Sequence, residues 1–490
     1  MSSMKKINLW IPTIALMELA ACLLASQTVY RIGFPLDDAW IHQTYARNLA
    51  LHGEFAFLPG VPSAGSTSPL WTILLAVGQW LGGAGVYIWT YLLGFACLAA
   101  IALIGEKLFQ VMVPATHLKI PAAALLLVTE WHLVWAAASG METALYCAAI
   151  LLIFFLAWKA NLPAFGLGLL VGVAVWIRPD AITLFGPVGM MLVFQSGSWQ
   201  QRLRRFVWLA VGVAIPLAGY LAFNYALSGK LWPTTFYAKQ AEYAALWQTS
   251  FSVRYFKMAS LVWVGVGIML VPGFIFQFWN ILKERNWKLG AMMLWWLGYT
   301  GIYAYRLPVE YQHGRYLIPA MPVYLLLGLG GSLEIYRIMK INARWKRLFR
   351  FAGISATALV ALAFLVTGLK TYATDVAIIE SEMVDTARWL QMNTAPDDLL
   401  AVHDIGAVGY FSGRRMIDLA GLVTPEVVPF MRDETSLAEY LDSKGVDYLV
   451  TFPDWYADLP EGKPIVYQTT GLFSPAQGGT NMTVYRWRAP

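Results

Sequence analysis

The chain has 490 residues, 58% of them hydrophobic and 13% charged, whereas soluble domains carry roughly 25% charged residues. That excludes an ordinary soluble protein and puts most of the chain in a bilayer. Its 35 Lys+Arg and 29 Asp+Glu are unevenly divided: 8 basic and 17 acidic residues lie from Thr371 onward, leaving 27 and 12 before it, so a basic membrane body carries an acidic tail.

Apolar windows near spanning length occur at 7–29, 86–109, 121–138, 143–159, 163–177, 181–195, 206–226, 258–281, 289–304, 316–338 and 351–370, and predict eleven transmembrane helices. The first is read as a retained anchor: Leu19-Ala20-Ala21-Cys22 resembles a lipoprotein processing site, but Glu18 interrupts the run before it and the apolar stretch continues through Leu23 and Leu24. A further apolar segment, 69–82, has the length of an interfacial or re-entrant element. Cys22, Cys97 and Cys147 each sit inside an apolar run, which excludes a disulfide framework or zinc-type spacing.

Basic residues are retained on the cytoplasmic side of short loops. The clusters Arg202, Arg204, Arg205; Lys283, Arg285, Lys288; and Arg337 through Arg350 mark that side. Counting back from Arg205 places Lys159, Lys119 and Lys107 inside and residues 140–142 and 178–180 outside. Lys5 and Lys6 fall inside only when 69–82 does not cross. From about 371 the composition turns polar, with strand patterns at 399–402 and 448–452 and helix patterns at 381–392 and 436–444. The expected fold class is therefore an all-α polytopic membrane domain of about 11 transmembrane helices at 1–370, followed by a soluble extracytoplasmic α/β domain at 371–490.

The first outside loop reads Phe34-Pro35-Leu36-Asp37-Asp38-Ala39-Trp40-Ile41-His42. Ile41, Tyr45 and Leu49 recur at helical spacing, while Asp38 and His42 share another side, which predicts an amphipathic helix on the outer leaflet. A carboxylate at a helix start is held ionised by the dipole and is suited to accept a proton from an attacking hydroxyl. Asp is equally a preferred cap, although one cap does not account for two adjacent acids. A turn-rich loop at 53–70 then runs into Ser68-Pro69-Leu70-Trp71.

This order of features resembles the GT-C superfamily of integral membrane glycosyltransferases, and more closely its polyprenyl-phosphate-arabinose arabinofuranosyltransferases and related bacterial enzymes. Five patches in the same order extend the resemblance over about 30–430: Ser139-Gly140-Met141-Glu142-Thr143, Arg178-Pro179-Asp180, Pro233-Thr234-Thr235-Phe236-Tyr237-Ala238-Lys239, His313-Gly314-Arg315-Tyr316 and His403-Asp404-Ile405-Gly406-Ala407.

The resemblance implies a plasma-membrane enzyme that inverts configuration as it moves a sugar from a polyprenyl-phosphate donor to a hydroxyl of a glycan, lipid or protein acceptor on the extracytoplasmic face. Membrane lipids are its other expected partners, and nucleic acid is not one. The chain also has no D-x-D, no Walker loop and no G-x-G-x-x-G for a nucleotide donor. The catalytic candidates are Asp37 as base and Asp38 as the residue orienting substrate, with the reverse assignment open.

A phosphate leaving group needs cations and donors. The candidates are Arg315, His313, Lys239, Arg306 and Tyr237, Arg315 first for its planar fork; Lys239 and Arg306 are equally readable as interfacial anchors. His42, Glu142 and Arg178 are candidate substrate contacts. Glu142 also reads as a helix-dipole partner, and Arg178 as the structural partner of Asp180. No cofactor is assigned; a divalent cation held by Glu142 with Asp37 or Asp38 stays open. The rival reading is a transporter or lipid flippase, carried by Glu18, Glu130 and His132 inside apolar windows.

Overall fold

The computed structural model describes residues 10–114 and 120–488. The orientation markers Lys5, Lys6 and Lys119 lie outside the described residues. Among the described residues, each of the eleven apolar windows contains helix. Six described helices are long and apolar enough to cross a membrane by themselves, among them α1 (Trp10–Val29) and the segments Ala84–Met112 and Trp199–Ser228. Other windows are broken: 121–138 is split into Ala122–Val128 and Trp131–Ala138, and 258–281 passes through two 3₁₀ turns before Val271–Glu284. Apolar side chains such as Leu24, Ile215, Ile275 and Leu359 stand exposed on the outer faces, as lipid-facing residues do. The chain is a multi-pass membrane protein.

The helix body is held together at close range. Helices Ala164–Ile177 and Trp199–Ser228 touch through Gly168 and Gly212, where a Cβ would stand 2.3 Å from Leu209 O and from Phe165 O respectively. Small residues at such a crossing let backbones approach where lipid supplies no hydrophobic drive. The three cysteines are buried and unpaired.

One helix, Ala343–Ile378, leaves the body and continues through a π turn at Ile379–Val384 into Asp385–Asn393. Beyond it a five-stranded sheet has the order β4-β3-β5-β7-β6. Its strands are β3 (Leu399–Val402), β4 (Arg415–Asp418), β5 (Tyr448–Thr451), β6 (Ile465–Gln468) and β7 (Thr483–Arg486), numbered after the small hairpin β1 (Ala56–Leu58) and β2 (Val61–Pro62). β3 pairs in parallel with β4 and β5; β7 is antiparallel to β5 and β6. β5 is buried throughout. The strand patterns at 399–402 and 448–452 are β3 and β5. β4, β6 and β7 are not marked by the sequence pattern because each holds at most three consecutive apolar residues, too few to stand out from loop.

Among the elements that meet the C-terminal domain are α2 (Asp37–His52) and α3 (Pro69–Leu81), which pack on or bond to its helix Ile405–Phe411. The expectation that α2 lies on the outer leaflet is corrected. It is buried on both sides, with Trp40, His42, Gln43, Thr44 and Tyr45 all covered, because the C-terminal domain packs on the face that membrane would otherwise meet. Arg47 donates to Tyr410 O at 2.5 Å, and the Trp40 ring lies 4.6 Å from that of Phe411. α3, at 13 residues, is too short to span a bilayer.

Candidate active site

The approach to the acidic pair is pinned by aromatic packing. Phe34 lies 5.1 Å from Trp40 and 5.4 Å from Tyr87, and Tyr91 donates to Gly33 O at 2.5 Å. Leu36 is extended and serves as the N-cap of α2. Successive helical residues point about 100° apart, so Asp37 and Asp38 face different neighbours. Neither caps its own helix.

Asp37 reaches into the C-terminal domain. Its two carboxylate oxygens accept from the backbone amides of Gly406, at 2.6 Å, and Ala407, at 2.8 Å. Burial pushes its pKa up to about 6, against those two hydrogen bonds. Gly406 is required for this contact: a Cβ there would stand 2.0 Å from the Asp37 carbonyl oxygen and 2.7 Å from Oδ2. Gly406→Ala is expected to destabilise the fold by about 1–3 kcal/mol and to displace Asp37. Thermal unfolding checks this; an unchanged melting temperature would show that the contact is dispensable.

Asp38 meets cations. Its Oδ2 lies 2.5 Å from Arg315 Nη1 and 3.3 Å from Lys239 Nζ. Burial opposes its ionisation, but Arg315 and Lys239 outweigh it and hold the carboxyl well below the usual range. Tyr316 joins them, accepting from Lys239 at 3.2 Å and Arg315 at 3.1 Å.

Local structure explains these placements. The helix Thr234–Glu242 is fastened at its start to the loop after α2: Thr234 N donates to Ala64 O at 3.0 Å, and Thr235 Oγ1 to Gly65 O at 2.5 Å. Arg315 follows three consecutive left-handed residues, Gln312, His313 and Gly314, at φ 54°, 58° and 63°. A non-glycine residue held there costs on the order of 1–3 kcal/mol. His313 Nε2 is anchored 2.7 Å from Asp375 Oδ2, which also accepts from Trp135 Nε1 at 3.0 Å.

Two cavities adjoin this cluster. The larger, about 640 Å³, lies between body and C-terminal domain and is lined by Asp37, His313, Glu242, His403, Asp404 and Trp455 among others. The smaller, about 410 Å³, has walls of Trp232, Phe236, Ile302 and Leu307. Ile302, in its wall, is 45% exposed, so the cavity has an apolar edge open to the outside of the chain. Asp38, Lys239 and Arg315 line both cavities; Asp37 lines only the larger.

The smaller cavity rests on a buried polar chain. His42 Nε2 lies 3.4 Å from Glu142 Oε2, and Glu142 Oε1 accepts from Arg178 at 3.2 Å. Arg178 also donates to Asp180 at 3.2 Å, whose other oxygen accepts from Tyr299 and Tyr303, each at 2.6 Å. Burial raises the Glu142 pKa, but His42 and Arg178 pull it down to about 2. Arg306 lines the same cavity, with its guanidinium 3.3 Å over the Phe236 ring.

Tyr237 is the exception. It lines neither cavity and sits under Lys230 at 5.0 Å, because a residue two positions before Lys239 points to the opposite side of the helix. Asp180, Glu242, Tyr303 and Tyr316 are not among the sequence candidates for the site: Asp180 and Tyr316 lie in patches the resemblance marks, but their contacts with Tyr299, Tyr303 and Lys239 join segments distant in sequence. Glu130 and His132 seal a helix break: the Glu130 carboxylate caps Leu133 N at 3.0 Å and meets His132 Nδ1 at 2.7 Å.

The carboxylates do not suit a divalent cation. Asp38 and Glu142 are already neutralised by protein cations, which leaves Asp37 alone of the three as a carboxylate without one. Among the described residues, no three His, Cys, Asp or Glu side chains are grouped to hold a metal.

This architecture is a fold shared with solved membrane proteins of very different sequence. The crystal structure of ArnT from Cupriavidus metallidurans bound to undecaprenyl phosphate superposes with a TM-score of 0.62 at 13% identity, covering 98% of both chains. The archaeal oligosaccharyltransferase AglB from Archaeoglobus fulgidus, in complex with an inhibitory peptide and a dolichol-phosphate, gives 0.54 at 12% identity over 92% of this chain and 70% of that one. In sequence, the terminal beta-(1->2)-arabinofuranosyltransferase of Mycobacterium tuberculosis is 27% identical over 255 residues, 48% of this chain; the chain spans only 39% of that relative's length. A family model described as a domain of unknown function, DUF8728, matches residues 374–485.

Proposed function

We propose that the protein is an inverting glycosyltransferase that moves a sugar from a polyprenyl phosphate to an acceptor hydroxyl on the extracytoplasmic face. The observation that carries this reading is the Asp38–Arg315–Lys239 cluster at the junction of an apolar-walled cavity with an open apolar edge and a larger, more polar one. An isoprenoid phosphate entering through the first brings its charge to Arg315 and Lys239, where charge-assisted hydrogen bonds stabilise it. The relatives whose structures contain undecaprenyl phosphate or dolichol-phosphate support the same donor class. Sidedness rests on the basic clusters: Arg202–Arg205 and Arg344–Arg350 begin helices whose far ends approach the site.

In the reaction, the acceptor oxygen bonds to the anomeric carbon as the bond from that carbon to the phosphate oxygen breaks. The electron pair leaves with the phosphate, and the hydroxyl proton passes to a carboxylate. In-line attack places that base across the sugar from the phosphate. Asp38, in contact with the phosphate-binding cations, is on the wrong side and too weakly basic. Asp37 lines the polar cavity, and its raised pKa suits a base working near neutrality. Asp38 instead holds Arg315 and Lys239 in place.

The test is transfer by protein in lipid nanodiscs, supplied with a panel of farnesyl phosphate sugars and octyl glycoside acceptors, with the product anomer read by NMR. Inverted product is expected. Absence of transfer across the panel, or retained configuration, overturns the reading. The base acts deprotonated, so kcat/KM should fall tenfold per pH unit below about 6, the value to which burial raises Asp37, and level off above it. A profile flat down to pH 4 would exclude Asp37.

A further inference from the structure

The helix Ile405–Phe411 starts in an unusual way. Its N-cap residue is Asp404, a preferred capping residue with the extended backbone of a cap, φ −90° and ψ 92°, yet its side chain caps nothing. The amides it would ordinarily satisfy, those of Gly406 and Ala407, are taken by Asp37 from the other domain. The Asp404 carboxyl is thereby displaced into the wall of the larger cavity, where Oδ2 is shielded from solvent and has no hydrogen-bond partner. A buried polar oxygen left unpaired is costly, and here its carboxyl forms part of the wall of an open cavity that also holds Asp37 and Asp38.

The surroundings define what it can bind. Burial, together with the carboxylates of Asp37, Asp38, Glu242 and Asp418, drives the Asp404 pKa well up; a carboxyl accepts hydrogen bonds, and in its protonated form donates one as well. Beside it, His403 packs 4.5 Å from the Trp455 ring and meets Tyr456 OH at 2.8 Å, and both aromatics line the same cavity. A carboxyl with an unpaired oxygen beside aromatic faces, next to the candidate base, is suited to a polyhydroxylated ligand.

We propose that Asp404 is a substrate-contacting residue whose carboxyl hydrogen-bonds a hydroxyl of the acceptor in the polar cavity. The proposal rests on the glycosyltransferase reading above and assigns the C-terminal domain a direct part in acceptor selection.

The experiment uses the full chain in nanodiscs with the most active farnesyl phosphate sugar and octyl glycoside pair, measuring donor and acceptor KM separately. Asp404→Ala is expected to raise acceptor KM about tenfold, the worth of one hydrogen bond, with donor KM within about twofold. Its melting temperature should not change, because no cap is lost. Asp404→Asn, which keeps the shape and still donates, should stay near wild type. Should the Ala variant misfold, Asp404→Ser reads the same acceptor KM. An unchanged acceptor KM, or donor and acceptor KM rising together, overturns the proposal. Failure of wild type to transfer any sugar overturns the underlying reading instead, and this proposal with it.

Discussion

Asp37→Asn should lower the transfer rate by about 10²- to 10⁴-fold, the range that a positioned general base contributes. The substitution keeps the shape of the side chain but removes its proton affinity. It also turns an amide donor toward one of the two backbone donors, Gly406 N or Ala407 N, which now share a carboxylate. One hydrogen bond is therefore lost in a covered site, a loss of about 1–3 kcal/mol. Rate and stability must accordingly be measured together. Single-turnover transfer by the folded variant gives the chemical step, and polyprenyl phosphate binding should stay within about threefold of wild type. A variant that binds donor and transfers at the wild-type rate would exclude Asp37 as the base. Asp38→Asn is a different experiment, since its main expected effect is on how Arg315 and Lys239 are held.

Arg315→Met is expected to be the most damaging substitution for donor use. It leaves Asp38, whose side chain is 24% exposed, with Lys239 at 3.3 Å as its remaining cation. Breaking one partner of a buried pair typically destabilises by about 3–5 kcal/mol, and losing the guanidinium should raise donor KM by tenfold or more. The double variant Arg315→Met with Asp38→Asn separates the two effects, because it removes the stranded charge along with its partner. Stability should return toward wild type while donor KM stays high. Recovery of both would show that Arg315 serves the fold alone. Recovery of neither would show that its main contribution is packing around Tyr316, which its guanidinium contacts at 3.1 Å.

These expectations share one structural cause. The candidate base belongs to a helix of the membrane-side chain, but the amides that hold it belong to the C-terminal domain, and the covering of α2 by that domain sets the polarity around it. The part of the chain matched by the family model, 374–485, thus contributes to the site as well as covering it.

The sequence by itself determined the membrane body, the short non-spanning α3, the strands β3 and β5 and the position of the acidic pair. Hydropathy over twenty residues, alternation over four, and a Pro-Leu-Asp-Asp entry to a helix are local properties, readable wherever the chain goes. It also brought forward most of the cations that gather at the site, since Arg306 and Arg315 flank apolar windows and Lys239 lies in an outside loop between two of them. Only the tertiary structure decided what each of them does. Asp37 and Asp38 are adjacent in sequence and nearly identical in local pattern, yet one meets amides 369 and 370 residues away and the other a lysine 201 residues away. Tyr237 and Lys239 looked alike as candidates, and helix geometry turned one away. A side chain's basicity and partners depend on what packs against it in space, and that is settled by how distant segments meet.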